Sequence, residues 1–403
     1  MVISWNVRVS GPLVDCLAGL RSNLLSQGYK PQSCLKLLRL TGHLSRWLEE
    51  NDLEAQDLTD EHAADFLRSR RDRGYTELLG RRALKPIRRY LVEAGVIPVP
   101  ATEAAKLPPL EQLVIEYEGF LLRERGLSAP VVRVYTKQAQ RFLLDGSSFG
   151  DLDLASLDGA QVKQFVLERA RGSSFHQTRN VLTGLRSFLG FLRMRGHIAR
   201  DLTGAVPKVA GWRLASLPKY LPPEQVHAII ESCDRRTTIG RRDYAALLLL
   251  ARVGLRAGEV AGLSLDDVDW RESILTIRGK GGRTDRLPLS AEVGAALASY
   301  LRRRQPRTDC RSLFLKACAP RTKLGKVAVT EIVRRACKRA GLPLVGAHRL
   351  RHSAATLMLR KGATLDEVAQ VLRHRHLATT AIYAKVDHRR LQELAQPWPG
   401  GAA

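Results

Sequence analysis

The chain has 403 residues, 44% of them hydrophobic, and its 65 Lys and Arg against 40 Asp and Glu give a net charge of +25. This length predicts two to four domains, and the excess of cations favours a polyanionic partner, with nucleic acid as the leading candidate. A generally basic proteome or a ribosomal protein is the alternative. The six cysteines form no CxxC pair, which argues against structural zinc. The sequence predicts neither a membrane span nor a signal peptide.

The first half of the chain contains an internal repeat, whose like residues lie 99 or 101 positions apart. The repeat is carried by four pairs: Leu58 and Leu157, Phe66 and Phe165, Tyr90 and Phe191, Gly95 and Gly196. Each copy has apolar residues at helical spacing and a glycine after its last helix. The pattern predicts two small helical domains in tandem. Chance similarity between amphipathic helices is the alternative.

Two proline-containing segments divide the chain. Residues 96–109 join the two copies, and residues 205–225 join the second copy to the remainder. Proline favours extended backbone in both segments. The sequence therefore predicts an extra helical domain at 1–100, a second helical domain at 106–205 and a C-terminal domain at 218–403.

The C-terminal domain combines helical and strand patterns. Residues 243–254, DYAALLLLARVG, predict a buried helix with Asp243 as N-cap and Gly254 as its stop. Residues 273–290 predict a β-hairpin with Lys280 at its tip, because two β-branched runs flank a glycine turn. The expected fold class is mainly α with a small β-sheet: tandem helical domains followed by an α+β domain.

Basic residues crowd the start of a predicted helix at AHRLRHSAATLML, residues 347–359. Helical spacing places His348, Arg351 and His352 on one face. The helix N-terminus already carries a positive dipole, so cations belong there only if an anion such as phosphate is held. A solvated basic face is the alternative.

Two other segments offer polar groups. Arg256 follows the Gly254 stop, and Glu259 can orient its guanidinium through a charge-assisted bond. Lys280 lies in RGKGG, which lacks the spacing of a phosphate-binding P-loop. Taken singly, these are ordinary surface features: an Arg–Glu pair and a turn lysine.

The segment 364–386 begins with a T-x-x-E capping box and predicts a short helix that ends at His374. Thr379 or Thr380 can cap a new short helix that carries Tyr383. The interval between His374 and Tyr383 allows a chain reversal that brings both to one pocket. The alternative for Tyr383 is an aromatic residue on an amphipathic helix.

Together these motifs resemble the tyrosine recombinases, also called the phage integrase family, and most closely its Xer-like branch. The segments GLRAGEV, GKGGRTDRLPL, HRLRHSAAT and LRHRHLATTAIY occur in the family's order, within residues 218 to about 390. Residues 106–205 resemble the family's helical, SAM-like core-binding domain. No paired carboxylates, Ser-His-Asp pattern or metal-ligand spacing competes with this set.

The resemblance implies an enzyme that cleaves and rejoins DNA through a 3′-phosphotyrosine intermediate, with no metal and no other cofactor. It implies Tyr383 as nucleophile, Lys280 as the acid for the leaving 5′ oxygen, and His348 as an aid to deprotonation of the tyrosine. The implied catalytic set is Arg256, Lys280, His348, Arg351, His374 and Tyr383.

One residue departs from the family's pattern. The family usually has Leu-Gly-His where this chain has Leu372, Arg373 and His374. Because glycine there permits close packing, we expect the Arg373 side chain to point outward or towards DNA.

The leading interpretation is an integrase or transposase-like recombinase of a mobile element. Its partners would be double-stranded DNA with inverted-repeat sites and further protomers, with a homo- or hetero-tetramer on paired sites and no membrane. It would act in the cytoplasm, at the nucleoid. The extra domain at 1–100 favours this role over a Xer-type resolvase of replicon dimers. The sequence also allows a catalytically silent DNA-binding subunit or a type IB topoisomerase.

The tail after Tyr383 predicts a contact between protomers. Residues 387–398, DHRRLQELAQPW, predict a short amphipathic helix. In enzymes that the chain resembles, such a helix docks on a neighbouring protomer. Packing of the helix within its own protomer is the alternative.

Overall fold

The computed structural model describes residues 7, 9–98, 109–146, 154–208, 220–279, 283–304, 310–374 and 380–386. Two compact units divide the chain: Pro100–Arg213 forms one, and Met1–Val99 with Leu214–Ala403 forms the other. The fold class is mainly α with one three-stranded sheet, as predicted. Across the described ranges, every helix is too short or too polar to cross a membrane.

The N-terminal helices surround a hydrophobic core of their own. Leu44, Phe66 and Ile87 are at most 1% exposed in this core. The hydroxyl of Thr59 caps the third helix by accepting from the backbone amide of His62. The helices are α1 (Cys16–Ser26), α2 (Pro31–Glu50), α3 (Asp60–Asp72) and α4 (Arg81–Glu93).

The unit Pro100–Arg213 is built around an aromatic core. Tyr117, Phe188 and Phe191 are at most 1% exposed, and their ring centroids lie 5.0 to 6.3 Å apart. Capping boxes begin its last two helices at Asp158 and Ser174. The helices are α5 (Pro109–Gly119), which continues as a π-helical turn (Phe120–Glu124), α6 (Ala129–Gly146), α7 (Gly159–Ala170) and α8 (Phe175–Met194).

The two four-helix segments have the same order of elements. A 3₁₀ turn precedes α3 at Ala55–Asp57 and precedes α7 at Leu154–Ser156, again 99 positions later. Gly95 and Gly196 have positive φ angles of 70° and 78° after the last helix of each segment. The aligned leucines and phenylalanines are all buried. These features agree with the repeat, and the three domain boundaries stay a prediction.

The C-terminal region contains the sheet, which is antiparallel in the order β1-β2-β3. In the predicted hairpin, Thr276 pairs with Arg286, which confirms the β-strands there. Lys280 lies outside the described residues. The elements are α9 (Pro223–Glu231), α10 (Thr238–Ala251), α11 (Ala257–Gly262), β1 (Val268–Asp269), β2 (Ile274–Arg278), β3 (Thr284–Pro288), α12 (Ala291–Arg302), α13 (Lys326–Arg339), α14 (Ala347–Arg360), α15 (Leu365–Leu372) and a 3₁₀ helix (Ala381–Val386).

Helix α10 begins earlier than the sequence predicted. The hydroxyl of Thr237 caps it by accepting from the backbone amide of Gly240 at 2.9 Å. Asp243 lies inside the helix, 2% exposed, and its carboxylate accepts from the Arg242 guanidinium at 2.6 and 2.9 Å. The N-cap prediction for Asp243 was wrong because a buried cation satisfies this carboxylate and a threonine starts the helix.

Buried packing of α10 fixes the elements that carry the candidate site. Its residues 247–250 are four leucines that are 0% exposed. The helix packs against α12 and α14, and α15 packs against α14. Helix α14 therefore joins the core around α10 to a smaller cluster that contains Val368 and Leu372 of α15 and Tyr383.

Candidate active site

Arg351 is a buried cation in the second turn of α14, only 1% exposed. Its two terminal nitrogens donate to the backbone carbonyls of Gly254 and Leu372. Its Nε has no hydrogen-bond partner within the described residues and remains available as a donor. Burial, with a further contribution from the Arg256 charge, lowers the pKa of Arg351 to about 10. The guanidinium is therefore still a cation at neutral pH.

A glycine makes the two carbonyls converge on Arg351. Gly254 has a φ of +69°, and a Cβ at this position would lie 2.7 Å from Cδ2 of Leu372. Only glycine combines this backbone conformation with so close an approach. The turn after α10 can therefore reach the end of α15.

Arg256 lies at the start of α11 and keeps its side chain 43% exposed. Its guanidinium donates to Oε1 of Glu259 at 2.6 Å, and its backbone amide donates to Oε2 at 2.8 Å. The predicted orientation of Arg256 by Glu259 is confirmed. Burial alone would raise the pKa of Glu259, but the Arg256 amide and the Arg373 charge hold it below its ordinary value. The carboxylate is therefore an anion that faces Arg256.

Arg373 points into the protein, so the expectation of an outward side chain was wrong. Its side chain is 6% exposed, and its guanidinium donates to Oε2 of Glu259 at 2.7 Å. The backbone at Arg373 is left-handed, with a φ of 55°, and ends α15. A buried carboxylate within reach explains the inward direction, because an unpaired buried charge is costly.

Tyr383 is 2% exposed and lies on the 3₁₀ helix Ala381–Val386. Its hydroxyl is hydrogen-bonded to Nδ1 of His352 at 2.7 Å. Burial raises the pKa of Tyr383 to about 12, against the opposing effect of the Arg351 charge. Burial and the neighbouring His348 and Arg351 lower the pKa of His352 to about 4. At neutral pH a neutral imidazole therefore faces a neutral phenol.

His374 is a second imidazole beside the tyrosine ring. The two rings are parallel within 1°, and their centroids are 6.4 Å apart. Nδ1 of His374 is hydrogen-bonded to the Thr380 hydroxyl at 2.8 Å. Burial, followed by the Arg351 charge, lowers the pKa of His374 to about 4. The predicted proximity of His374 and Tyr383 is confirmed, and residues 375–379 between them lie outside the described residues.

His348 joins this cluster through His352. The two imidazoles meet edge to face, with centroids 4.5 Å apart. Partial burial and the Arg351 charge lower the pKa of His348. The resemblance had implied His348 as the partner of the tyrosine hydroxyl, whereas the bond comes from His352. The signal was available, because His352 lies on the same helical face and directly follows Arg351.

Of these residues, Arg256, Glu259, Arg373 and His374 line an open cleft of about 1130 Å³. Cations dominate its lining. The predicted position of Lys280 lies outside the described residues. On either side of that gap, the backbone amide of Gly279 donates to the carbonyl of Arg283 at 2.7 Å. Within the described ranges, no three His, Cys, Asp or Glu side chains group as metal ligands. The cationic residues that line the cleft are Arg256, Arg278, Arg283, Lys326 and Arg373.

Comparison with known proteins identifies the family. Residues 219–390 match the phage integrase family. A Sinorhizobium fredii (strain NBRC 101917 / NGR234) protein that bears the name integrase/recombinase y4rA is 40% identical over 395 residues, which cover 97% of this chain and 96% of that protein. The chain belongs to the phage integrase family. Members of this family are DNA strand-transfer recombinases that use a tyrosine nucleophile.

Other phage integrase family relatives extend the comparison. The tyrosine recombinase XerA of Pyrococcus furiosus is 30% identical over 289 residues, which cover 71% of this chain and 94% of XerA. Among solved structures, XerH bound to palindromic difH substrate covers 83% of this chain and 94% of that chain, with a TM-score of 0.58 and 22% identity. The Tn1549 transposon integrase in complex with circular intermediate DNA covers 70% and 99%, with a TM-score of 0.51 and 19% identity. This phage integrase family member therefore shares their fold.

Proposed function

We propose that this chain is a site-specific recombinase of a mobile element that cleaves and rejoins DNA through a 3′-phosphotyrosine. One observation carries the proposal: the Tyr383 hydroxyl is bonded to a neutral imidazole beside the buried cation Arg351. A phenol needs a proton acceptor before it can attack, and a phosphodiester needs cations around its oxygens. The site supplies a proton acceptor in His352 and a cation in Arg351.

Attack begins with proton transfer from Tyr383. With the ring hydrogen of His352 assigned to Nε2, Nδ1 accepts the phenolic proton as Oη bonds to phosphorus. The ring of His348 lies edge to face against His352 and helps to hold that imidazole in place. The bond between phosphorus and the 5′ oxygen breaks, and the phosphate stays on the 3′ end as a phosphotyrosine. Rejoining reverses these steps, so the bond energy is conserved.

The cations act on the phosphate and on the leaving group. Arg256 and the free Nε of Arg351 bond the non-bridging oxygens, whose charge grows in the transition state. His374, oriented by Thr380, adds a third donor to those oxygens. Lys280 protonates the 5′ oxygen as it leaves. These groups account for each charge and each proton with no metal ion or other cofactor.

The mobile-element role is supported by the Tn1549 transposon integrase among proteins of the same fold, and by the extra helical segment. A Xer-type resolvase of replicon dimers is the second candidate, favoured by the identity to XerA. In both cases we propose three domains, at 1–100, 106–205 and 218–403. The full set of polar groups weighs against a catalytically silent subunit.

For assembly, we propose a tetramer of identical or related protomers on paired inverted-repeat sites, in the cytoplasm at the nucleoid. XerH and the Tn1549 integrase, which share the fold, are described in complex with DNA. The tail 387–403, outside the described residues, would link neighbouring protomers. Its deletion should weaken assembly on paired sites more than binding to a half-site, as measured by gel shift. Equal losses would contradict this link.

The test of the function is capture of the covalent intermediate. The protein is incubated with nicked duplexes made from the sequences that flank its gene, and unrelated duplexes serve as the control. We expect a covalent adduct on a denaturing gel, with the phosphodiester mapped to Tyr383 by mass spectrometry, and no loss of adduct in EDTA. Strict dependence on Mg²⁺, or an adduct on another residue, would contradict the mechanism.

Paired substrates then separate the biological roles. Joining of the element's ends favours a mobile-element recombinase, and resolution of direct repeats in a plasmid favours a Xer-type resolvase. Relaxation of supercoils without paired sites would instead indicate a type IB topoisomerase.

A further inference from the structure

Three consecutive residues at the end of α15 each contact a different part of the candidate site. The Leu372 carbonyl accepts from Arg351, the Arg373 guanidinium donates to Glu259, and the His374 imidazole stacks on the tyrosine ring. Arg373 is the residue at which the chain departs from the usual glycine of its family. Its contact is therefore an addition that a glycine cannot supply.

The backbone of Arg373 is in a conformation that an arginine seldom adopts. A φ of 55° places its Cβ near the following carbonyl, which disfavours every residue with a side chain. The side chain makes two bonds that hold it there: to Oε2 of Glu259 at 2.7 Å and to the Val371 carbonyl at 2.8 Å. Both bonds are partly buried, and they compensate the local strain.

Glu259 connects Arg373 to the arginine that borders the cleft. Its carboxylate is 7% exposed and accepts from the Arg256 guanidinium and from the Arg373 guanidinium. One negative charge thus faces two positive charges. Without Arg373, that negative charge would act on Arg256 alone and offset the charge that Arg256 presents to a phosphate.

We propose that Arg373 is a positioning residue that acts through Glu259: by sharing the carboxylate it leaves the positive charge of Arg256 less offset and keeps Arg256 aimed at the scissile phosphate. This inference rests on the proposed recombinase function. Arg373 touches neither the DNA nor the nucleophile in this role. Its effect therefore belongs to the cleavage step and not to the affinity for DNA.

The proposal is tested by substitutions in the full-length chain. Arg373→Gly removes the guanidinium and relieves the left-handed strain. Arg373→Asn, which tolerates the same backbone, is the second variant in case the glycine variant does not fold. Arg235→Gly is the matched control, because it removes one cation from an exposed pair with Glu231. Each protein is assayed for thermal unfolding, half-site affinity and single-turnover adduct formation at saturating protein.

Arg373→Gly should cleave about tenfold to a hundredfold more slowly than the wild type, the range of a lost charge-assisted bond. Its half-site Kd should stay within about threefold, because the Arg373 guanidinium is already engaged by Glu259 and the Val371 carbonyl. Adding Glu259→Gln should restore part of the rate, because a neutral amide no longer offsets Arg256. Arg373→Asn should behave like Arg373→Gly, and Arg235→Gly like the wild type.

A merely structural role predicts the opposite sign for the double variant. Arg373→Gly with Glu259→Gln would then be slower than Arg373→Gly, and that result would overturn the proposal. Cleavage by folded Arg373→Gly or Arg373→Asn within about twofold of wild type would also overturn it, while the recombinase function would stand. If the wild type forms no adduct, that result would contradict the proposed recombinase function and also the inference that rests on it.

Discussion

Two halves of the candidate site respond differently to the same burial. The imidazole half contains His352, His374, Thr380 and Tyr383, and the cationic half contains Arg256, Glu259, Arg351 and Arg373. Burial lowers the pKa of His352 to about 4 and raises the pKa of Tyr383 to about 12, so both are neutral at pH 7. Burial also lowers the pKa of Arg351, to about 10, so Arg351 remains a cation at pH 7. Burial therefore produces proton acceptors from histidine and leaves a fixed charge on arginine.

The two halves also differ in how their groups are held. In the cationic half, backbone carbonyls hold Arg351 and a carboxylate holds Arg256. The carbonyls that bond Arg351 are neutral and leave its positive charge uncompensated. The negative charge of Glu259, in contrast, offsets Arg256 unless Arg373 balances that negative charge. In the imidazole half, hydrogen bonds among neutral groups fix the rings. The cationic half is thus suited to charge stabilisation, and the imidazole half to proton transfer.

The largest effect is expected from the imidazole half. Tyr383→Phe should abolish the covalent adduct and leave DNA affinity unchanged, because only the attacking oxygen is lost. The matched control is Tyr220→Phe, which removes a hydroxyl bonded to Arg360 from the same hydrophobic cluster. The measurement is adduct formation on a nicked site by denaturing gel. An adduct that persists in Tyr383→Phe would identify another nucleophile.

The next effect tests the cationic half. Arg351→Ala or Arg256→Ala should each remove about 3 kcal/mol or more of transition-state stabilisation, a loss of at least about 100-fold in rate. Single-turnover adduct formation measures this loss. Thermal melts must match the wild type, above all for the buried Arg351. If either variant cleaves at nearly the wild-type rate, that arginine does not belong to the site.

A smaller effect on the cleavage rate is expected from His352→Gln, because the adjacent His348 can partly replace His352 as the acceptor of the Tyr383 proton. The rate should fall about tenfold to a hundredfold. The wild-type rate should decline as pH falls through about 4, where His352 becomes protonated and can no longer accept. His227→Gln, exposed on α9, is the control. A pH profile that is unchanged in His352→Gln would contradict the assignment.

Stability gives an independent check on the same imidazole. The folded pKa of His352 lies below its ordinary value of 6.5. Between these values the unfolded chain binds a proton that the folded chain excludes, so the free energy of unfolding falls as pH drops from 6.5 towards 4. His352→Gln lacks this contribution. Its melting temperature should therefore fall less than that of the wild type between about pH 7 and about pH 5.

The smallest effect on the cleavage rate is expected from changes in the N-terminal segment 1–100, which lies outside both halves of the site. Removal of residues 1–100 should leave cleavage of bound DNA intact but flatten the salt dependence of binding and shorten the footprint. Each phosphate contact contributes about −0.9 to the slope of log affinity against log salt. Neutralising Arg81, Arg82 and Lys85, exposed on α4, is the matching change in the full chain. An unchanged slope and footprint would assign this segment to protein contacts instead.

Residues 68–74, RSRRDRG, are also rich in arginine, but one of these arginines is buried. Arg70 is 7% exposed, and its guanidinium lies 4.1 Å from the ring centroid of Tyr75. It also donates to the Glu77 carbonyl. Arg70 therefore stabilises the fold of this segment, and the test is better placed on α4.

Local features of the fold and site were predictable from the sequence. The hairpin, the Thr364 and Glu367 capping box and the Arg256–Glu259 bond all follow from residues a few positions apart. Spacing on one helix also brought His348, Arg351 and His352 to one face. Each of these depends on backbone geometry that repeats within a few residues.

Contacts between distant residues were not predictable in the same way. The Arg373–Glu259 bond joins positions 114 apart, and the His352–Tyr383 bond joins positions 31 apart. A helical pattern says which face a side chain lies on but not which buried partner it meets. Asp243 shows the same limit, because its neighbour Arg242 is buried with it and removes the need for a capping role.

Gly254 has a consequence for genetic screens. Its missing Cβ leaves room for Leu372, and its carbonyl holds Arg351. A methyl group at this position would strain the left-handed backbone of Gly254 and press on the side chain of Leu372. A library of random substitutions would therefore report Gly254 as essential although it has no side chain to contribute. Positions that tolerate no substitution in such a library would therefore include residues that hold the reacting groups in place, as well as the reacting groups themselves.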